Sequence, residues 1–158
     1  MATILIENFT RQLNEIQDGS PWFDQSFKDK LENLSADDAF KRPISSVHSV
    51  AEHVSHMIEW RKECILRYKG GKTELMDSPD DWKGNTSLLE IGWPSLKDAL
   101  YTSTLDLIDL IYNHDDKYLE TVFRDTDYTF KYLLEGIIHH DLYHLGQIGV
   151  TIKLLRTT

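Results

Sequence analysis

The sequence predicts an all-α fold, a four-helix bundle with long crossover connections. Apolar residues recur at three- and four-residue steps over four long stretches. No strand-like alternation persists beyond a few residues, although residues 120 to 128 read as locally extended. Amphipathic helices of this length bury their stripes against one another, and a bundle is the natural way to do so.

The first stripe, Ile6, Phe9, Leu13 and Ile16, predicts a helix over residues 3 to 17 that Gly19 stops. Ser20 and Pro21 read as an N-cap and first helical position, opening a shorter helix that carries Phe23, Phe27, Leu31 and Leu34. Residues 35 to 43 hold a weak helix start that proline breaks. Ser49 and Glu52 form an S-x-x-E capping box, so the next long helix starts at Val50. Its apolar face is Val50, Val54, Met57 or Ile58, and Ile65, and Gly70 and Gly71 end it. Pro94 opens a third long helix, with Leu96, Leu100, Leu107 and Ile111 on the buried side. The last runs over residues 130 to 155 through Leu133, Ile137, Leu145, Ile148 and Ile152. The four long helices therefore lie near residues 1 to 17, 50 to 68, 94 to 113 and 130 to 155. With no repeat or linker to divide it, the chain reads as one domain, residues 1 to 158.

Two connections are longer than a compact bundle requires. Residues 70 to 93 carry Asp77, Pro79, Asp80, Asp81 and Trp82, and residues 114 to 129 carry Tyr118, Phe123 and Tyr128. Such crossovers either join helices that are not simple neighbours or cover a site.

Composition narrows the function classes. A formal net charge of -9 repels phosphate backbones, and no basic cluster offsets it, so neither nucleic acid nor an anionic membrane surface is an expected partner. No apolar run approaches the roughly 18 residues of a membrane span. The opening MATILIENFTRQLNEIQDG turns polar early and does not read as a secretory signal, so a cytoplasmic protein is expected. A single cysteine, Cys64, excludes an internal disulfide framework and a Cys-rich zinc module.

Six of the 7 histidines fall into two groups: His48, His53 and His56, and His139, His140 and His144. His140 and His144, four apart, share a helix face in line with the apolar stripe, a spacing that lets two imidazoles chelate one metal ion. A pair of this kind is more often a pair of hydrogen-bonded core histidines, and a third histidine on another long helix is what shifts the balance. Periodicity alone favours His53 as that third group, whereas the side shared with Trp60 favours His56, and the pattern leaves the choice open.

SVAEHVSHMIEW in the second long helix and GIIHHDLYHLGQIG in the last resemble the signature segments of the DinB-like superfamily. This superfamily of metal-dependent enzymes includes the YfiT-type proteins and bacterial low-molecular-weight-thiol S-transferases. The likeness spans nearly the whole chain, and its most specific element is H-x-x-x-H-x-G-Q-I, present as His140, His144, Gly146, Gln147 and Ile148. It implies a bundle with a crossover and one metal held by His56, His140 and His144, because the family's histidine follows the serine-led helix start by the separation of His56 from Ser49. His53 and His139 match no ligand position.

Three neutral imidazoles leave a coordination position open for water or thiolate, as in catalytic rather than structural sites. The resemblance thus implies a hydrolase or thiol S-transferase acting on a small molecule, with a homodimer as the expected assembly. Zinc or nickel is the expected metal, and iron or cobalt suits the same ligands. The alternatives are a metal- or ligand-binding bundle without turnover and a structural dimerisation protein whose core histidines only hydrogen-bond.

Glu52, Glu59 and Asp141 are candidate acceptors for the ligands' second nitrogens, although solvated helix charge is the commoner state of such residues. Tyr143 and Gln147 are candidate pocket residues, Gln147 the better one because it belongs to the matched motif. Cys64 reads as core rather than nucleophile, since no basic neighbour in sequence lowers its pKa. Trp22, Trp82 and Trp93 read as core more readily than as a binding surface. Gly146 and Gly149 in mid-helix suggest the close approach of a neighbouring helix.

Overall fold

The computed structural model describes residues 3–71, 74–124 and 126–157. It is all-helical, with α1 Ile4–Gln17, α2 Phe27–Leu31, α3 Ala36–Phe40, α4 Val50–Tyr68, α5 Asn85–Ile91, α6 Trp93–Tyr112, α7 Asp116–Leu119 and α8 Phe130–Leu155. Among the described residues the extended backbone expected near 120 to 128 amounts to one antiparallel bridge, Val122 to Thr129. Among the described residues, no helix is long and apolar enough to cross a membrane.

The long helices bury the stripes that periodicity assigned to them. Ile6, Phe9, Leu13 and Ile16 of α1 are buried, as are Val50, Val54, Met57 and Ile58 of α4 and Leu96, Leu100, Leu107 and Ile111 of α6. Their main packing pairs are α4 with α6 and α8, and α1 with α6 and α8. Going round the core, the order is therefore α1, α6, α4, α8. The path from α1 to α4 and the path from α6 to α8 each cross to the far side, which accounts for the α2–α3 segment and for the length of residues 113 to 129. Residues 70 to 93 need another explanation, because α4 and α6 are direct neighbours.

The second helix starts later than Ser20 and Pro21 suggest. Ser26 is its N-cap, with Asp29 Oδ2 accepting from Ser26 N at 2.8 Å and Ser26 Oγ accepting from Asp29 N at 3.4 Å. This reciprocal box satisfies two helix-end donors where a lone serine cap satisfies one. Residues 20 to 25 form turns instead, with Trp22 fully exposed and Phe23 half-exposed. Trp93, by contrast, is buried and donates to Leu34 O at 3.0 Å.

Gly92 joins α5 to α6 with φ 84 and ψ 148, a conformation essentially restricted to glycine. Gly92→Ala is expected to destabilise the protein by about 1–3 kcal/mol, read as a lowered urea midpoint at unchanged slope. The midpoint of Gly84→Ala, where φ is -77 and a Cβ meets open space, serves as the control.

Candidate metal centre

Helix α4 begins where its buried capping box dictates: Ser49 Oγ accepts from Glu52 N at 3.2 Å, and Glu52 Oε2 accepts from Ser49 N at 2.8 Å. Ser49 Oγ also donates to Asn85 Oδ1 at 2.7 Å, tying the start of α4 to α5. Burial works against a charge on Glu52, but bonds from Arg42 and the Ser49 N–H, with the Arg42 and His48 charges, hold its carboxyl below the usual range. Glu52 is therefore committed to the helix start and does not serve His56.

This registration carries His56 to a point facing His140 and His144 of α8. His140 Nε2 lies 3.0 Å from His56 Nε2 and 3.1 Å from His144 Nε2. Each of the three rings offers one nitrogen within 4.8 Å of the others. His56 and His144 are buried and His140 is half-buried. Two nitrogens bound tetrahedrally to one ion at about 2.1 Å are about 3.4 Å apart, a few tenths of an ångström beyond these separations. Protons alone do not satisfy the arrangement, since a ring nitrogen carries either a proton or an in-plane lone pair. His140 Nε2 therefore cannot accept from one neighbour while donating to the other, whereas a cation shared by three lone pairs satisfies all three.

Two of the three far nitrogens support this reading, while His140 Nδ1 is buried without a hydrogen-bond partner among the described residues. His56 Nδ1 donates to Asp81, lying 2.8 Å from its carbonyl oxygen and 3.0 Å from Oδ1, which leaves Nε2 with its lone pair. Asp81 Oδ1 is held by Trp60 Nε1–H at 2.8 Å. The neighbouring Trp82 lies stacked between the rings of His48 and His56, with centroids 4.0 and 3.9 Å away. The length of the 70–93 connection thus serves the histidines: it carries Asp81 and Trp82 over them. On the opposite side, His144 Nδ1 meets His53 Nδ1 at 3.2 Å. The periodicity that favours His53 correctly marks a buried position, but the ring stands behind His144, outside the cluster of three.

Burial pushes the imidazoles toward the neutral form that a metal ligand needs. His144 is lowered to about 3, and His140 and His53 each to about 4, in every case mainly by burial with neighbouring imidazoles adding to it. His56 is lowered as well, by burial, against the opposing pull of Asp81. In metal-free protein such groups contribute stability that is complete above the unfolded value of 6.5 and is lost as pH falls toward 4, because only the unfolded chain takes up protons in that window. The thermal midpoint of chelator-stripped protein is therefore expected to fall steadily between those pH values, and a flat profile would contradict the burial.

The other acidic candidates are engaged elsewhere. Glu59 accepts from Lys62 at 2.9 Å and Lys83 at 3.1 Å. Asp141 faces the core, where its Oδ2 accepts from Arg61 Nη2 at 2.9 Å and Nε at 3.1 Å. Both residues are about 1% exposed, and Arg61 also donates to Leu100 O, Ser103 Oγ and Thr104 Oγ1 of α6. This node joins α4, α6 and α8 and sets the rotation of α8, one residue away from His140.

The three histidines open onto a cavity of about 480 Å³ between α4 and α8, which Tyr143 also lines. Gln147 does not line this cavity: it lines a neighbouring one with His48 and His53, donates to Tyr143 Oη at 3.1 Å, and lies close enough to His144 to bear on that ring's protonation. Cys64 is buried in the wall of the cavity onto which the three histidines open, and burial pushes its thiol up to about 12, so it carries no thiolate at neutral pH. Nor does a helix press on the mid-helix glycines. A Cβ on Gly146 would meet nothing within 4 Å, and one on Gly149 only the mobile end of the Lys30 side chain.

Sequence reasoning missed Asp81 as the partner of His56 and Arg61 as the partner of Asp141. For Asp81 a signal existed in the acidic run beside Trp82, on a connection longer than its helices need. For Arg61, one basic residue in a long helix gives no such sign. The family model of the DinB superfamily matches residues 25–148. No curated protein and no solved structure matches the chain.

Proposed function

The chain belongs to the DinB superfamily, and from that membership and the histidine cluster we propose a metal-dependent enzyme, a hydrolase or thiol S-transferase acting on a small molecule. The scaffold is read as a four-helix bundle, and the ligands as His56, His140 and His144. Zinc and nickel are the first metals to try, with iron and cobalt next, since imidazole suits all four. When bound, the metal supplies Lewis-acid polarisation and lowers the pKa of a coordinated water or thiol.

The chain's own residues do the rest. Asp81 fixes the tautomer and ring angle of His56, and the Asp81 carboxylate raises that ligand's basicity. The Trp82 ring, stacked on His56, keeps bulk water from that flank. His53 stands behind His144 and restricts its rotation. The cavity brings the substrate to the side of the cluster not covered by protein.

The convergence of three imidazole nitrogens on the wall of a cavity, with His140 about 3 Å from each of the other two and all three within 4.8 Å, carries this reading. Three protein ligands with an uncovered fourth side are the pattern of catalytic rather than structural zinc. The test compares metal-loaded and stripped protein on panels of thiol-transfer and hydrolysis substrates. Turnover is expected only in the loaded form, with a loss of at least about 100-fold in His144→Ala. A tightly bound metal without turnover on either panel would replace the enzyme with a non-catalytic metal-binding module.

A further inference from the structure

We infer that the cavity takes an elongated, predominantly apolar molecule, with a metal-coordinating head at the histidines and its body lying along the α4–α8 groove toward Arg67. The placement of the head rests on the metal reading above. The placement of the body stands on the cavity alone.

The lining shows a polar–apolar–polar order. His56, Trp60, Cys64 and Arg67 follow one another along one side of α4, and all line the cavity. The helical rise from His56 to Arg67 amounts to about 16 Å, so the groove is much longer than a single metal-bound group. Between its ends the walls are Trp60, Cys64, Leu133 and Ile137. The Cys64 thiol is uncharged, and the Glu63 carboxylate that lines the cavity beside it is taken up by Arg67, so this stretch offers no unpaired ionic group to a polar substrate. At the far end Arg67 is ion-paired with Glu63 at 2.6 Å. That end is therefore a neutralised polar wall, which does not call for a charged tail.

Gly136 supplies the second observation. It lies in the interior of α8, near its N-terminal third, where glycine costs about 1 kcal/mol relative to alanine. It lines the cavity, yet a Cβ built on it would meet nothing within 4 Å, so no packed neighbour accounts for its smallness. Along the same edge Tyr132 and Tyr143 are exposed and also line the cavity. Gly136 is thus a notch between two aromatic side chains, and the space it leaves belongs to the groove. The cavity volume of about 480 Å³ lies within the range of small-molecule sites.

The test is calorimetric titration with straight-chain alkyl hydroxamates, whose head chelates metal, and with the matching primary amides, whose head does not, from propyl to octyl. Binding of both series is expected to tighten about three- to fourfold per methylene. For the amides this holds in stripped protein too, and hydroxamates should exceed amides only in the metal-loaded form. Gly136→Leu, which fills the notch, is expected to retain metal but lose at least about tenfold in octyl affinity, and Gly136→Ala to keep the length dependence. Leu133→Gln, which makes the wall polar, should flatten the same slope and serves if the leucine variant does not fold. Affinity independent of chain length in the wild type, or a slope untouched by both Gly136→Leu and Leu133→Gln, would overturn the inference. A normal slope with hydroxamates no better than amides in metal-loaded protein would support the apolar body and overturn the placement of the head.

Discussion

The double variant His140→Ala, His144→Ala is expected to retain no metal under conditions in which the wild-type protein holds about one equivalent. Both ring nitrogens it removes lie about 3 Å from the next ligand in the cluster, and the one imidazole left in the cluster, His56, cannot chelate. A graded companion is Asp81→Ala, which leaves the three ligands intact but removes the carboxylate from His56 Nδ1. Loss of an outer partner of this kind costs about 10- to 100-fold in metal affinity. Competition with a chromogenic chelator measures both. If the double variant keeps wild-type metal content, the ion sits elsewhere; if Asp81→Ala binds as tightly as wild type, the carboxylate does not orient the ligand.

Arg61→Ala should produce the largest loss of stability, about 3–5 kcal/mol, because it leaves the Asp141 carboxylate buried without its partner. Burial already raises the Asp141 pKa, and only the Arg61 charge and hydrogen bonds oppose that rise. The substitution also removes the donor to Leu100 O, Ser103 Oγ and Thr104 Oγ1, so the α4–α6 contact loosens together with α4–α8. Replacing both ions by apolar residues of similar volume, Arg61→Met with Asp141→Leu, should cost far less. At the surface, the Arg11–Glu15 pair offers the contrast, where Arg11→Ala should change stability by less than about 1 kcal/mol. Urea unfolding of the variants checks the set, and an Arg61→Ala loss below about 1 kcal/mol would show that the node does not hold α8 in place.

The parts of this architecture legible in the sequence are those set by local periodicity and local capping. The stripes of α1, α4 and α6, and the box at Ser49 and Glu52, depend on residues within a few positions of one another, and they fold as read. The family likeness carried by the segment from His140 to Ile148 is borne out by the match over residues 25–148. Ser20 and Pro21 misled because a better cap stands at Ser26, and the competition between two caps is settled by reciprocal bonds that single residues do not reveal. Glu52 and Asp141 read as solvated charges in the sequence because their cations, Arg42 and Arg61, come from other segments of the fold. Asp81 and Trp82 reach the histidines through a connection whose path periodicity does not describe. The choice between His53 and His56 lay beyond periodicity for the same kind of reason. Both rings are buried, and only the position of α8 decides which nitrogen meets His140 and which meets the back of His144.

Elemental mass spectrometry of the untagged protein, purified without chelators and again after reconstitution, tests the central claim most directly. Three imidazoles sharing one ion predict close to one equivalent of a divalent transition metal per chain, lost in His56→Ala. A chain that binds no metal even after reconstitution, or a His56→Ala variant that binds as the wild type does, would contradict it.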